Sequence, residues 1–201
     1  MKATHLIGID EVGRGPIAGP VAVGAFVFLK PGAKKFFKGV KESKQLTEEK
    51  REEWFDIIKK KNNEKFVTFS VCFQSEKVID EKGISYAIKK CLENCLKNLK
   101  LNPDECLVLL DGGLKAPAHY KNQKTIIKGD AKEPVIALAS ICAKVLRDRK
   151  MRAWAKKYPN YGFDVHKGYG TKAHYKAIRV AGLTSLHRRS FLQKRPLYAS
   201  M

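Results

Sequence analysis

Carboxylates stand in three places where a hydrophobic run stops. Asp10-Glu11 follow Leu6-Ile7-Gly8-Ile9, Asp111 follows Cys106–Leu110, and Asp130 follows a short run at Thr125–Ile127. Strand ends in open α/β sheets are where sites form. Acids gathered at one sheet edge repel one another unless positive charge sits among them, and the occupant that suits hard oxygen ligands is Mg2+ or Mn2+. Each acid also has a plainer use. Asp111-Gly112 alone is an ordinary turn. Asp10 and Glu11 diverge in a regular strand and share a site only if the strand ends or twists there. Asp130 lies too early to cap the helix that Pro134 opens, whose N-cap is Glu133. Glu48, Glu49, Glu52 and Glu53 read as solvated helix residues, and Asp148 as a partner of the arginines beside it.

The elements that must hold these acids alternate between strand and helix. Residues 4–10 and Val21–Phe28 read as strands joined by a turn rich in Gly and Pro. Thr47 opens a helix running to about Lys61, with Glu48 and Glu49 in its first turn. Phe66–Phe73 is strand-like, and Gly83–Lys100 carries apolar residues at three- and four-residue steps, the mark of an amphipathic helix. Strands at Cys106–Leu110 and Thr125–Ile127 follow, then a long helix from Pro134 to about Lys157, a loop over Tyr158–Thr171 and a short helix over Lys172–Ala181. The pattern predicts an α/β layer fold with a mixed sheet and a C-terminal helical appendage. Gly13-x-Gly15-x-x-Ala18 matches a loose dinucleotide fingerprint, but that motif must open a helix, and here a strand follows.

Composition narrows the partners. The 201 residues hold 40 Lys+Arg against 20 Asp+Glu, a net charge of +20, with 44% hydrophobic residues. That is enough apolar surface for a folded core, and no run is long enough to span a bilayer. A charge of this size favours a polyanion partner over a solvated lysine surface. The segments Lys34-Lys35, Lys59-Lys60-Lys61 and Lys89-Lys90 read as solvated faces, whereas the cluster Lys144, Arg147, Arg149, Lys156-Lys157, Lys167 and Arg188-Arg189 lies beside the motifs below. The five cysteines, odd in number and without a Cys-x-x-Cys pair, read as core residues in a reducing cytoplasm.

Several blocks together resemble the ribonuclease HII (type 2 ribonuclease H) family. They are Gly8-Ile9-Asp10-Glu11-Val12-Gly13-Arg14-Gly15-Pro16, Ser43-Lys44-Gln45-Leu46, Leu110-Asp111-Gly112, and Lys128-Gly129-Asp130. Ala139–Arg149, His166-Lys167-Gly168-Tyr169-Gly170-Thr171 and His187-Arg188-x-Ser190-Phe191 complete the series in the family's order. The related type 3 enzymes carry Gly-Thr-Gly where this chain has Gly13-Arg14-Gly15, and they bear an extra N-terminal domain that is not expected here.

The resemblance implies an RNase H-like fold, with a central mixed β-sheet flanked by helices over residues 1–157 and a small C-terminal loop–helix appendage over 158–201. It implies a metal site of Asp10, Glu11, Asp111 and Asp130 that holds two divalent ions, Mg2+ or Mn2+, with Asp10 bridging. The implied reaction cuts 5′ to a ribonucleotide in RNA/DNA hybrids and in duplex DNA with embedded ribonucleotides, leaving 3′-OH and 5′-phosphate ends. Gly13, Arg14 and Gly15 would read the 2′-OH through main-chain groups, and Tyr169 would pack on the sugar. Lys44, Lys144 and Lys167 would contact phosphates, and His166 and His187 would be structural. A cytoplasmic monomer without membrane contact is expected. The tail Gln193–Met201 shows no clear docking motif for a sliding clamp. A non-catalytic binding module, a junction-resolving nuclease on the same scaffold and a membrane-surface protein remain as rivals, the last disfavoured by basic residues dispersed over many elements.

Overall fold

The computed structural model describes residues 4–40 and 42–193. Five strands form one mixed sheet: β1 (His5–Val12), β2 (Val21–Phe28), β3 (Val67–Gln74), β4 (Cys106–Asp111) and β5 (Gln123–Ile126), in the order β3-β2-β1-β4-β5. β1–β2 and β2–β3 pair antiparallel, whereas β1–β4 and β4–β5 pair parallel. Eight α-helical segments accompany them: α1 (Glu48–Asn63), α2 (Glu76–Lys82), α3 (Ile84–Leu99), α4 (Gly129–Lys132), α5 (Pro134–Lys157), α6 (Phe163–His166), α7 (Lys172–Ala181) and α8 (Arg189–Leu192).

Alternation along the strands divides the core in two. Ile7, Ile9, Val21, Val23 and Ala25 point to one face, where α3 buries Ile88, Cys91, Leu92, Cys95 and Leu96. Phe26 and Leu109 point to the other, where α5 packs with Phe55 and Ile58 of α1. Glycines set how closely α5 lies on the sheet. A β-carbon at Gly8 would fall 2.3 Å from the main chain of Val135, and one at Gly24 would fall 2.3 Å from the Ala139 carbonyl oxygen. Asp10 pairs with Gly24 in register, so its side chain leaves β1 directly against this close-packed helix.

A third apolar cluster joins the C-terminal segment to the body through Ile17, Ala18, Met151, Tyr161, Phe163 and Ile178. The loop expected over 158–171 contains a 3-10 turn at Pro159–Tyr161 and α6, because Tyr161 and Phe163 are drawn into this cluster. Four of the five cysteines are buried, and all are free thiols. Among the described residues no helix is long and apolar enough to cross a membrane.

Candidate active site

Asp10, Asp111 and Asp130 each bring a carboxylate oxygen within 4.8 Å of the others. Asp10 comes from the middle of the sheet on β1 and Asp111 from the end of neighbouring β4. Asp130 comes from α4, a single turn immediately before α5, rather than from a strand end. Asp10 and Asp130 are only 4% exposed. Asp111 Oδ1 accepts the main-chain N–H of Gly129 at 2.7 Å, which ties β4 to the turn carrying Asp130. Asp10 Oδ1 accepts the N–H of Glu11 at 2.7 Å, and its carboxylate also bonds Ser140. Ser140 Oγ in turn meets Ser43 Oγ at 2.7 Å, so α5 and the turn before α1 both orient Asp10.

Electrostatics make this cluster unfavourable for the protein alone. Burial pushes the Asp10 carboxyl up to about 8, against a lowering by the Ser140 bond, and the charges of Glu11, Asp111 and Asp130 push the same way as burial. Glu11 is also raised, first by burial.

Glu11 differs from the other three. β1 does not end after Asp10 but runs on to Val12, paired with Ala22 of β2, so the pleat turns Glu11 away from Asp10. The β1–β4 ladder stops at Ile9–Leu110, which opens the edge beside Glu11 to the cleft. Its carboxylate takes a bond from Arg14 Nη1 at 3.3 Å. The cleft above the aspartates is walled by Glu11, Arg14, Gly15, Ser43, Lys144 and Tyr169. Arg14 and Gly15 are exposed, and the Tyr169 ring stands beside Gly15: a β-carbon there would lie 4.0 Å from its Cε1.

Two arginines of the basic cluster, Arg147 and Arg188, are fully buried. Arg188 donates to the carbonyls of Gly19 (2.8 Å), Arg14 (3.1 Å) and Gly13 (2.7 Å). Arg147 donates to those of Pro20 (2.9 Å), Lys167 (2.9 Å) and Ala18 (3.3 Å). A buried guanidinium is tolerable when its donors are met, and here carbonyl oxygens meet them while fixing the loop 13–20. Gly13, at φ +86°, has no room for a side chain, because a β-carbon would fall 2.2 Å from Arg147 Nε. The loop's conformation is thus set from beneath by residues distant in sequence.

Lys144, Arg149 and Lys167 are also engaged. Lys144 lines the cleft, but its ammonium rests on Asp148 at 2.9 Å. Asp148 pairs with Lys144 and Arg51 rather than with the arginines next to it. Arg149 pairs with Glu52. Lys167 Nζ lies 3.2 Å from Glu48 and also bonds the Asp164 carbonyl, and Lys167 is not among the residues walling the cleft. The side chain of Lys44 lies outside the described residues. Ser43, Ser140, Arg147 and Arg188 therefore emerge as site-shaping residues that sequence reasoning gave no such role. A serine inside the apolar run Val135–Val145 was the available signal for Ser140.

The chain is similar to known proteins in both sequence and fold. A model of the ribonuclease HII family matches residues 7–194. A ribonuclease HII from Caldicellulosiruptor bescii is 45% identical over 94% of this chain and 86% of its own length. The ribonuclease H2 structure from Pyrococcus horikoshii superposes with a TM-score of 0.73 at 26% identity, covering 93% of each chain. A ribonuclease HII from Archaeoglobus fulgidus, solved in complex with PCNA, gives 0.71 at 26% identity over 91% of this chain and 93% of that one.

Proposed function

The chain belongs to the ribonuclease HII family and is a ribonuclease H endonuclease, and from that premise we propose a specific reaction. It hydrolyses the phosphodiester 5′ to a ribonucleotide, in RNA/DNA hybrids and in duplex DNA with embedded ribonucleotides, leaving 3′-OH and 5′-phosphate ends. The observation that carries this reading is the juxtaposition, around one cleft, of Asp10 and Asp111, which cluster with Asp130, and of Arg14, Gly15 and Tyr169.

The donor set fits hard divalent cations. Three carboxylates converge, and burial makes Asp10 costly to ionise unless positive charge joins it. We assign Asp10, Glu11, Asp111 and Asp130 as the residues that would hold two divalent cations, Mg2+ or Mn2+. When bound, such ions supply Lewis-acid stabilisation of the attacking and leaving oxygens of the phosphodiester. The chain's own part is placement. Ser140 and the Glu11 N–H fix the Asp10 carboxylate, and the Gly129 N–H fixes that of Asp111.

Selectivity for a ribonucleotide requires contacts to a single hydroxyl. The main chain at Gly13-Arg14-Gly15 is assigned this task, since Arg188 and Arg147 hold the loop rigid at the cleft's edge. Tyr169, 44% exposed beside Gly15, is assigned the sugar face. Lys144, which lines the cleft, is assigned a phosphate contact, which positions without specifying. The protein acts in this reading as a cytoplasmic monomer with a body over 1–157 and a C-terminal segment over 158–201. Residues 194–201 lie outside the described residues, and no clamp contact is part of the reading.

The test is cleavage of three end-labelled duplexes, all-DNA, DNA with one ribonucleotide, and RNA/DNA hybrid, each with Mg2+, Mn2+ or EDTA. A metal-dependent cut just 5′ of the single ribonucleotide with all-DNA intact is the expected result. Cleavage of all-DNA would return the junction-resolving reading. Binding without any cleavage would return the binding-module reading. Duplex affinity should also fall steeply with salt, and a flat response would contradict the polyanion assignment.

A further inference from the structure

Behind Tyr169 lie three histidines whose hydrogen bonds run in one direction. The main-chain N–H of Thr184 meets His187 Nδ1 at 2.9 Å. A peptide nitrogen only donates, so that ring nitrogen is bare and the His187 proton sits on Nε2. His187 Nε2 lies 3.1 Å from His174 Nε2, which must therefore accept. The His174 proton is left on Nδ1, 2.9 Å from the carbonyl oxygen of Tyr169. The Thr184 N–H, with the Thr184 hydroxyl beside it at 3.0 Å from the same nitrogen, thus fixes both tautomers and delivers a proton donor to the Tyr169 main chain. His174 and His187 are 0% and 2% exposed. Burial pushes both imidazoles down to about 4, so both are neutral near pH 7. His166 stacks on His174 with centroids 4.2 Å apart and is held in the same way, accepting from the Gly168 N–H on Nδ1 and donating from Nε2 to the Tyr161 carbonyl.

The peptide units around Tyr169 are correspondingly immobilised. Its carbonyl also receives the Thr171 N–H at 2.9 Å, and its own N–H donates to the His166 carbonyl at 2.9 Å. The preceding carbonyl, of Gly168, takes the N–H groups of Ile17 and Ala18 at 2.9 and 3.2 Å, which ties this segment to the loop after β1. Only the tyrosine side chain is left facing the cleft.

We infer that His174 and His187 are positioning residues for the reaction: the Thr184–His187–His174 relay fixes the main chain from which Tyr169 reaches the ribonucleotide. This rests on the assignment of Tyr169 to the sugar face. If the histidines served packing alone, their loss would lower stability without acting through Tyr169.

The first arm of the test needs no substrate and uses the wild-type chain. Side-chain 15N NMR at pH 7 should show neutral rings protonated at His187 Nε2 and His174 Nδ1. The opposite tautomers, or a charged ring, would overturn the relay whether or not the proposed cleavage reaction is correct. The second arm is a kinetic cycle on DNA with one ribonucleotide. His174→Phe should lower kcat by roughly 10- to 100-fold with KM little changed. His174→Asn, whose amide can still donate to the Tyr169 carbonyl, should recover most of that loss. In a Tyr169→Ala background, His174→Phe should have little further effect. Additive losses, or no rescue by Asn, would overturn the positioning role while a loss in Tyr169→Ala alone would leave the sugar-face assignment standing. Should His174→Phe fail to fold, His187→Phe enters the same cycle, with the same outcomes deciding.

Discussion

The sheet edge and the cradle of arginines and histidines beneath loop 13–20 and Tyr169 bury polar groups under opposite rules. At the edge, Asp10, Asp111 and Asp130 crowd like charges together, and burial holds the Asp10 carboxyl near 8. In the cradle, Arg147 and Arg188 spend their donors on main-chain carbonyls, and three histidines stay neutral in an ordered chain. One region is left electrostatically incomplete, and the other is complete within itself. The difference separates two tasks. A centre that must take up cations is built with surplus negative charge, whereas a frame that must hold a reading loop still is built from satisfied bonds.

The comparison breaks most visibly through the carboxylates. Asp10→Asn or Asp111→Asn should remove several kcal/mol of transition-state stabilisation, a loss on the order of 10³-fold or more in cleavage rate. Duplex affinity should stay near wild type, and the metal-free Asp10→Asn protein should melt higher than wild type near pH 7, because the buried carboxyl that folding must protonate is gone. Cleavage near the wild-type rate would remove these residues from the site. The cradle should behave oppositely. Arg188→Met leaves the Gly13, Arg14 and Gly19 carbonyls without their donors, at about 1–3 kcal/mol for each that stays buried. Urea unfolding should then show a clear loss of stability, and an unchanged midpoint would refute the pinning role.

A smaller effect sharpens the contrast through pH. Asp10 ionises near 8 when folded against 3.8 otherwise, so the folded state binds more protons across that window. The metal-free protein should lose stability as pH rises from about 4 toward 8. His174 and His187 ionise near 4 against 6.5, so there the unfolded chain binds more protons, and stability should fall as pH drops from 6.5 to about 4. Melting temperature against pH should therefore show two limbs, and Asp10→Asn should flatten the alkaline one and steepen the acid one, where the two windows overlap. A variant that kept both limbs would contradict the assignment to Asp10.

Which parts were legible in the sequence follows from how local their causes are. The buried positions of α3 repeat at helical spacing, Thr47 caps α1 through its side chain, and Pro134 opens α5, so all three elements were readable. α2 was missed because only Ile79 on it is buried, too little to set a period. The aspartates were visible because each interrupts an apolar run. The continuation of β1 through Glu11 was not, since pairing with Val23 and Ala22 of β2 overrides the local pull of the turn. Arg147 and Arg188 looked like surface charge because their partners are carbonyls, which carry no residue identity in a sequence. His174 has no local signature at all, and its role depends on Thr184, His187 and Tyr169 meeting in space.

The most direct test of the incomplete edge is calorimetric titration of the metal-free protein with Mn2+ near pH 7, repeated in buffers of different ionisation enthalpy. Cation binding should be accompanied by net proton release from the Asp10 carboxyl, and both binding and release should be lost or sharply reduced in Asp10→Asn. Wild-type protein that binds no cation, or Asp10→Asn that binds it as tightly with the same proton release, would contradict the account.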